Sequence, residues 1–127
     1  MLEKALILAA KAHTGQVDKG GAPYILHPIR VMLACEGEKE KIVALLHDTL
    51  EDTALTAADL RRAGFPEEIV QAVCCLTRGQ KEDYMEYIAR ICKNALAARV
   101  KYADLQDNLD IRRIPNPTER DFARIRK

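Results

Sequence analysis

Apolar residues recur at the three- and four-residue spacing of amphipathic helices along nearly the whole chain. Stretches of β-branched residues that alternate with polar ones are missing, so the pattern predicts an all-α fold with short loops. Glycines and prolines divide the pattern into about seven or eight helices, which we expect to pack as a compact bundle. The length of 127 residues is that of one compact domain, and we expect residues 1–127 to form a single domain.

Helix-breaking residues set the expected bounds of these helices. The predicted helices cover 2–13, 27 to about 36, 38–51, 57–63, 66 to about 76, 83–92, 94–109 and a last one from about 118. Residues 16–24 contain Gly20, Gly21 and Pro23, so we predict a loop there. Pro28 favours the start of a helix and restricts the residue before it, so we expect His27 at the mouth of the second helix.

Charge and composition exclude several classes of protein. The formal net charge of +1 argues against a bulk electrostatic nucleic-acid binder, and we interpret the excess of Lys and Arg in 111–127 as a solvated helix face. No apolar run approaches the roughly 20 residues that span a bilayer, and no signal-peptide pattern opens the sequence. The 4 cysteines lack CxxC spacing and are expected as reduced thiols. We therefore expect a cytoplasmic protein without nucleic-acid or membrane partners; the oligomeric state, a homo-oligomer included, stays open.

An acidic cluster follows the most apolar stretch of the chain. Residues 42–46 are all apolar and run directly into His47 and Asp48, with Glu51 and Asp52 one turn later. The three carboxylates stand at i, i+3 and i+4, so a helix would place their Cβ atoms about 5–6 Å apart on one face. They repel one another there unless a cation binds, and the alternative is a solvated acidic helix end. The adjacent imidazole favours the cation site.

A second polar interruption lies near residue 104. Asp104 breaks an apolar stretch, and Asn108 stands one turn later on the same face. Interior polar groups need partners, so one interpretation is a structural carboxylate paired with Lys101. The other interpretation is a metal site formed by two imidazoles and two carboxylates: His27, His47, Asp48 and Asp104. Such a donor set suits manganese, iron or zinc, with positions left for water.

The order of His27, the adjacent His47-Asp48 pair and a distant Asp104 resembles the signature of the HD superfamily of metal-dependent phosphohydrolases. Three longer words resemble the hydrolase domain of the RelA/SpoT family and the small alarmone hydrolases: AHTGQVDKGGAPYILHP at 12–28, ALLHDTLEDT at 44–53 and KYADLQDN at 101–108. The resemblance covers about residues 3–110. It implies an HD-type helical bundle that removes the 3′-pyrophosphate from (p)ppGpp, the alarmone of the stringent response, with manganese.

The resemblance also implies roles for individual residues. It implies four metal ligands: His27, His47, Asp48 and Asp104. Glu51 and Asp52 match the acidic pair that positions or activates the hydrolytic water. Lys19 matches a basic loop residue near the nucleotide, and Asn108 matches the asparagine that follows the last ligand. We also expect Tyr24 to line the substrate pocket, with a packing role as the alternative.

Two positions depart from the family pattern. Asp18 stands where the family loop usually has arginine, and Asp110 stands where an arginine usually follows the asparagine. Each charge reversal would oppose an anionic ligand by on the order of 1 kcal/mol or more. The charge pattern expected around the substrate therefore differs from that of the family.

Three interpretations of function follow from these motifs. The first is a manganese-dependent phosphohydrolase of (p)ppGpp or, as a related nucleotidase, of another phosphorylated nucleotide. The second is a metal-containing nucleotide-binding module without catalytic activity, and the third is a helical interaction domain without a metal. The complete HD and ED pairs favour the first interpretation. His13 is expected as a hydrogen-bonded structural histidine, and Arg78 as a helix cap or a phosphate ligand.

Overall fold

The computed structural model describes residues 1–109, and in this range the chain forms eight α-helices joined by short loops. They are α1 (Leu2–Ala12), α2 (Leu26–Ala34), α3 (Glu38–Leu46), α4 (Thr49–Asp52), α5 (Ala57–Arg62), α6 (Glu67–Cys75), α7 (Tyr84–Cys92) and α8 (Ala95–Asn108). Within residues 1–109 the extended pairing is limited to an isolated bridge between Val17 and Pro23. The all-α prediction is confirmed, whereas the helix predicted from about residue 118 lies outside the described residues.

Helix α3 lies at the centre of the bundle because its C-terminal half is apolar on every side. It packs against α1, α2, α6 and α8. Its buried residues are Ile42, Val43, Ala44, Leu45 and Leu46. Full burial of each large aliphatic side chain contributes roughly 1.5–3 kcal/mol of transfer free energy. The residues that directly follow α3 are therefore held against the core.

The continuous helix predicted over 38–51 is wrong, because α3 ends at Leu46 and α4 begins at Thr49. Two side chains account for the interruption. The Nδ1 of His47 donates to the carbonyl of Ala44 at 2.6 Å, and the Oγ1 of Thr49 donates to the carbonyl of Leu46 at 2.8 Å. In a continuous helix these carbonyls accept from backbone N–H groups four residues later. The side chains take the place of those donors, so the His-Asp pair lies at the junction of two helices.

The loop between α1 and α2 is a small hairpin, in agreement with the loop predicted there. Its turn needs Gly21, which has a φ of +84° that residues with a side chain rarely adopt. The carboxylate of Asp18 accepts hydrogen bonds from the N–H groups of Gly20 at 2.8 Å and Ala22 at 3.0 Å. An aspartate whose side chain accepts hydrogen bonds from backbone N–H groups a few residues later is typical of such turns. These bonds hold the acidic side chain to its own loop.

Helix starts position several of the polar residues. Helix α2 begins at Leu26, which places His27 in its first turn, as predicted. Thr56 caps α5 and forms a reciprocal capping box with Asp59. Asn94 caps α8 with its side chain. Helix α2 carries His27, helix α8 carries Asp104 and Asn108, and the two helices pack against each other.

The expectations from composition concern thiols, membranes and domain organisation. All four cysteines are free, as predicted. Among residues 1–109, no helix combines the length and the apolar character that crossing a bilayer requires. A single domain over residues 1–127 stays a prediction, because 110–127 lie outside the described residues.

Candidate metal centre

Two imidazoles and two carboxylates meet where α2, the α3–α4 junction and α8 come together. Nε2 of His27 lies 2.8 Å from Oδ1 of Asp104, and Nε2 of His47 lies 3.3 Å from the same oxygen. Oδ2 of Asp48 lies 3.0 Å from Nε2 of His47 and 3.8 Å from Nε2 of His27. The least buried of the four side chains, that of Asp48, is 17% exposed. The fold thus brings together the four residues that the sequence predicted as metal ligands.

Both imidazoles use their Nδ1 atoms outside this cluster. The Nδ1 of His47 donates to the carbonyl of Ala44, and the Nδ1 of His27 lies 2.5 Å from Oδ2 of Asp107. A carbonyl oxygen only accepts, so the Nδ1 of His47 carries its hydrogen. Both Nε2 atoms face carboxylate oxygens, and a favourable contact there needs either a proton or a metal cation on the nitrogen.

Charges within the cluster strongly influence one another. Burial lowers the pKa of His47, but the carboxylates of Asp48 and Asp104 outweigh burial and hold that pKa well above its usual value. Burial raises the pKa of Asp104, but hydrogen bonds with His27 and His47 outweigh it and hold that pKa far below its usual range. For Asp48, burial is likewise outweighed by His47, and the pKa is lowered. The two carboxylates are therefore ionised at neutral pH and attract positive charge.

Asp104 has further partners on its own helix. The Nζ of Lys101 lies 3.1 Å from Oδ2 of Asp104, and the Nδ2 of Asn108 donates to Oδ1 at 3.4 Å. The ion pair with Lys101 that was one interpretation of Asp104 is therefore present together with the histidine contacts. Asn108, which the resemblance places at the substrate, touches a member of the cluster.

The donor atoms of the cluster fit a divalent metal ion. His27, His47 and Asp104 each offer one ligand atom, and these atoms all lie within 4.8 Å of one another. Imidazole nitrogen and carboxylate oxygen are donors that zinc, manganese and iron accept in proteins. Without a metal, favourable contacts between the imidazoles and the carboxylates require protons on the imidazoles. A bound divalent cation would supply the positive charge instead. The residues present therefore suit a metal.

A second acidic group adjoins the first. One carboxylate oxygen each from Asp48, Glu51 and Asp52 lie within 4.8 Å of one another, as their i, i+3 and i+4 spacing predicts. Burial, together with the charges of Asp48 and Glu51, raises the pKa of Asp52. Glu51 accepts a hydrogen bond from the backbone N–H of Arg78 at 2.9 Å. This contact attaches the loop that follows α6 to the acidic pair.

Residues between α1 and α2 contact Asp48 and Asp52 from another side. The hydroxyl of Tyr24 donates to Oδ2 of Asp48, and burial together with this carboxylate raises the pKa of Tyr24. The buried His13 makes a 2.9 Å hydrogen bond from Nδ1 to Oε1 of Gln16, and the Nε2 of Gln16 donates to the carbonyl of Asp52 at 3.0 Å. His13 is therefore hydrogen-bonded, as predicted, and Tyr24 contacts a proposed ligand.

Three residues that contact this site were not predicted from the sequence. Other residues named from the sequence either show no contact with the site in the structure or lie outside the described range. The residues missed were Gln16, Thr49 and Asp107. The only signal for Asp107 was its three-residue spacing from Asp104, which places both on one face of a helix. Lys19 is exposed on the hairpin, and its proposed contact with a nucleotide stays a prediction. Asp110 lies outside the described residues.

No family model matches the chain, but similar proteins and a similar solved structure are known. A GTP pyrophosphokinase of Myxococcus xanthus is 30% identical over 98% of this chain and 18% of its own length. The bifunctional (p)ppGpp synthase/hydrolase SpoT of Escherichia coli is 31% identical over 85% of this chain and 17% of its own length. A solved structure described as a metazoan orthologue of SpoT that hydrolyses ppGpp has a TM-score of 0.78 and 27% identity, over 97% of this chain and 78% of that one.

The chain is similar to SpoT-type (p)ppGpp hydrolases over most of its length. The resemblance drawn from the three sequence words is thereby confirmed, and so is the HD-type helical fold. The chain spans less than a fifth of the length of the curated relatives described above.

Proposed function

We propose that this domain is a metal-dependent phosphohydrolase that removes the 3′-pyrophosphate from (p)ppGpp. The observation that carries the proposal is the convergence of two imidazole Nε2 atoms and two carboxylates, one buried and one half-buried, with distances of 2.8–3.8 Å between them. The likeness to proteins whose names include (p)ppGpp hydrolase supports the choice of substrate.

Four residues would hold the metal in this proposal: His27, His47, Asp48 and Asp104. We propose Mn²⁺ as the ion, with Fe²⁺ or Zn²⁺ as alternatives that the same donors accept. A bound divalent ion lowers the pKa of its water ligand and polarises a phosphoryl oxygen. The tautomer of His47 supports this assignment, because its Nδ1 hydrogen is fixed on a backbone carbonyl and its Nε2 remains for a ligand bond.

Glu51 and Asp52 are proposed to position the hydrolytic water and accept its proton. Both are exposed beside the buried cluster, so solvent and substrate can reach them. The raised pKa of Asp52, caused by burial and by its acidic neighbours, makes this carboxylate a stronger base than an isolated aspartate. Glu51 is held in place by the N–H of Arg78.

The substrate would be bound by Lys19, Asn108 and Tyr24 in this proposal. Asn108 and Tyr24 contact Asp104 and Asp48, respectively, so both lie beside the proposed metal. We propose a small-molecule nucleotide as the partner, a cytoplasmic location, and no interaction with nucleic acid or a membrane. The formal net charge of +1 supports this proposal.

A related nucleotidase that acts on another phosphorylated nucleotide is a second candidate. Asp18 is the observation that favours it, because this carboxylate occupies the hairpin position where the resemblance expects arginine. The N–H groups of Gly20 and Ala22 bond this carboxylate but do not cancel its charge. A less anionic substrate than ppGpp would suit such a loop better.

The direct test is hydrolysis of ppGpp by the purified chain after removal of metal with a chelator. Release of pyrophosphate is expected on addition of Mn²⁺ and not in its absence. The variant His47→Gln should abolish both metal binding and turnover, whereas Glu68→Gln on the surface of α6 should change neither. Metal binding without turnover of ppGpp, but with turnover of another nucleotide, would favour the second candidate. Metal binding without turnover of any nucleotide tested would contradict both enzymatic proposals and favour a metal-containing module without catalytic activity.

A further inference from the structure

One carboxylate next to the centre lies between an imidazole and a guanidinium. Oδ2 of Asp107 lies 2.5 Å from Nδ1 of His27, and Oδ1 of Asp107 lies 2.8 Å from Nε of Arg30. The side chain of Asp107 is 10% exposed. Both of its oxygens therefore make short contacts in a nearly buried position.

These contacts follow from the register in which α2 and α8 pack. His27 and Arg30 are three residues apart on one face of α2, and Asp104 and Asp107 are three residues apart on the facing side of α8. One aspartate meets Nε2 of the imidazole and the other meets Nδ1. The ring of His27 is thus held at both nitrogens by consecutive turns of α8.

We infer that Asp107 is a positioning residue for the metal centre, with Arg30 as its support. This inference rests on the proposed function, because it assigns His27 as a ligand. A carboxylate that accepts the Nδ1 hydrogen of a ligating histidine fixes the tautomer, orients the ring and makes Nε2 a better donor to a metal. Arg30 fixes the other oxygen, so the carboxylate keeps its orientation toward the ring.

The two histidines of the cluster differ in this respect. The Nδ1 of His47 donates to the backbone carbonyl of Ala44, which a side-chain substitution does not remove. The Nδ1 of His27 depends on the side chain of Asp107. The orientation of one of the two imidazoles can therefore be weakened by substitution without altering any of the four proposed ligands.

A purely structural role for Asp107 is the competing explanation, since its contacts join α2 to α8. The ion pair between Arg99 on α8 and Glu40 on α3 provides a matched control, with 2.6 Å between Nε and Oε1. It also joins α8 to another helix through an arginine and a carboxylate. Glu40→Gln removes that pair and leaves His27 untouched.

The experiment compares the wild type, Asp107→Ala, Asp107→Asn, Arg30→Met and Glu40→Gln, each as the 127-residue chain freed of metal. Calorimetric titration with Mn²⁺ gives the dissociation constant, the visible absorption spectrum of the Co²⁺-loaded protein reports the ligand geometry, and thermal unfolding without metal reports the structural effect. We expect Asp107→Ala to weaken Mn²⁺ binding by about 10- to 100-fold and to change the Co²⁺ spectrum. Asp107→Asn keeps one oxygen that can accept the Nδ1 hydrogen, so it should restore most of the affinity.

Arg30→Met should weaken binding less than Asp107→Ala, and Glu40→Gln should not weaken it. Equal Mn²⁺ affinity and an unchanged Co²⁺ spectrum in Asp107→Ala would overturn the inference while leaving the proposed function intact. An equal loss of affinity in Glu40→Gln and Asp107→Ala would overturn it as well, because helix packing alone would then explain the effect. Failure of the wild type to bind any divalent ion would overturn the proposed function and this inference together.

Discussion

The Nε2 atom of His27 lies 2.8 Å from Oδ1 of Asp104, although 77 residues separate them along the chain. This contact joins the start of α2 to α8, and the buried junction after α3 supplies His47 to the same oxygen. The proposed metal would consequently stabilise the packing of these helices as well as provide chemistry, because a ligand that binds only the folded state adds to its stability.

Asp104→Asn is expected to remove both the metal and the stability that the metal provides. The amide keeps the size of the side chain but loses the charge shared by the two imidazoles, so Mn²⁺ affinity should fall by more than the roughly 10- to 100-fold typical of substitutions outside the ligand shell. At free Mn²⁺ of about 100 times its dissociation constant, the wild type should gain about 2.7 kcal/mol in free energy of unfolding. Thermal unfolding with and without Mn²⁺ measures this gain. A full gain in the variant would contradict the assignment of Asp104 as a ligand.

Glu51→Gln is expected to lower kcat for ppGpp hydrolysis by roughly 10²- to 10⁴-fold while Mn²⁺ affinity stays nearly unchanged. Glutamine keeps an oxygen that can accept the N–H of Arg78, so the nearby loop should remain in place. Steady-state kinetics with calorimetric titration of Mn²⁺ separates catalysis from metal binding. Wild-type turnover in this variant would remove Glu51 from the proposed catalytic pair.

Thr49→Val is expected to lower the free energy of unfolding by about 1–3 kcal/mol, because the fully buried Oγ1 no longer donates to the carbonyl of Leu46. Thr49→Ser keeps this donor and should lose less. Urea unfolding of the metal-free proteins measures both values. If the serine variant were as destabilised as the valine variant, the hydrogen bond would not be the cause.

Glu82→Gln should destabilise the protein at neutral pH, and the difference from the wild type should shrink in acid. Hydrogen bonds from Arg90 and from the N–H of Gly79 lower the pKa of Glu82 to about 2. A carboxylate with a lowered pKa stabilises the fold above its unfolded-state pKa, and this contribution is lost as the pH falls through the folded-state value. Urea unfolding between pH 7 and pH 3 checks the trend. A difference that grows toward pH 3 would contradict it.

Glu68→Gln is the control variant for the unfolding measurements on Glu82→Gln. Its ion pair with Lys39 joins two side chains that are both more than half exposed, so its removal should change the free energy of unfolding little at pH 7. A loss as large as that of Glu82→Gln would show that the destabilisation is not specific to the contacts of Glu82.

Sequence periodicity was sufficient to predict most helices, because burial of one helix face determines where apolar residues stand along the sequence. It failed between His47 and Thr49, where the apolar spacing continues but two side chains take over carbonyls from the backbone. Periodicity reports which face is buried, and it contains no information about that exchange of donors.

The candidate ligands could be selected from the sequence because isolated imidazoles and carboxylates stand next to apolar runs. The contact between Asp107 and His27 could not, because it depends on the register in which α2 packs against α8. A three-residue spacing identifies residues on one helix face but does not indicate which residue of another helix they meet.

Asp18 lies on a hairpin that closes its own hydrogen bonds, whereas the four proposed ligands lie on α2, on α8 and at the α3–α4 junction, all packed around the core. The proposed substrate contacts therefore differ in their distance from the metal centre: Tyr24 and Asn108 hydrogen-bond the proposed ligands Asp48 and Asp104, whereas Lys19 is exposed on the hairpin. We expect a substitution of the exposed Lys19 to change substrate preference with less effect on the metal centre than a substitution of Tyr24 or Asn108.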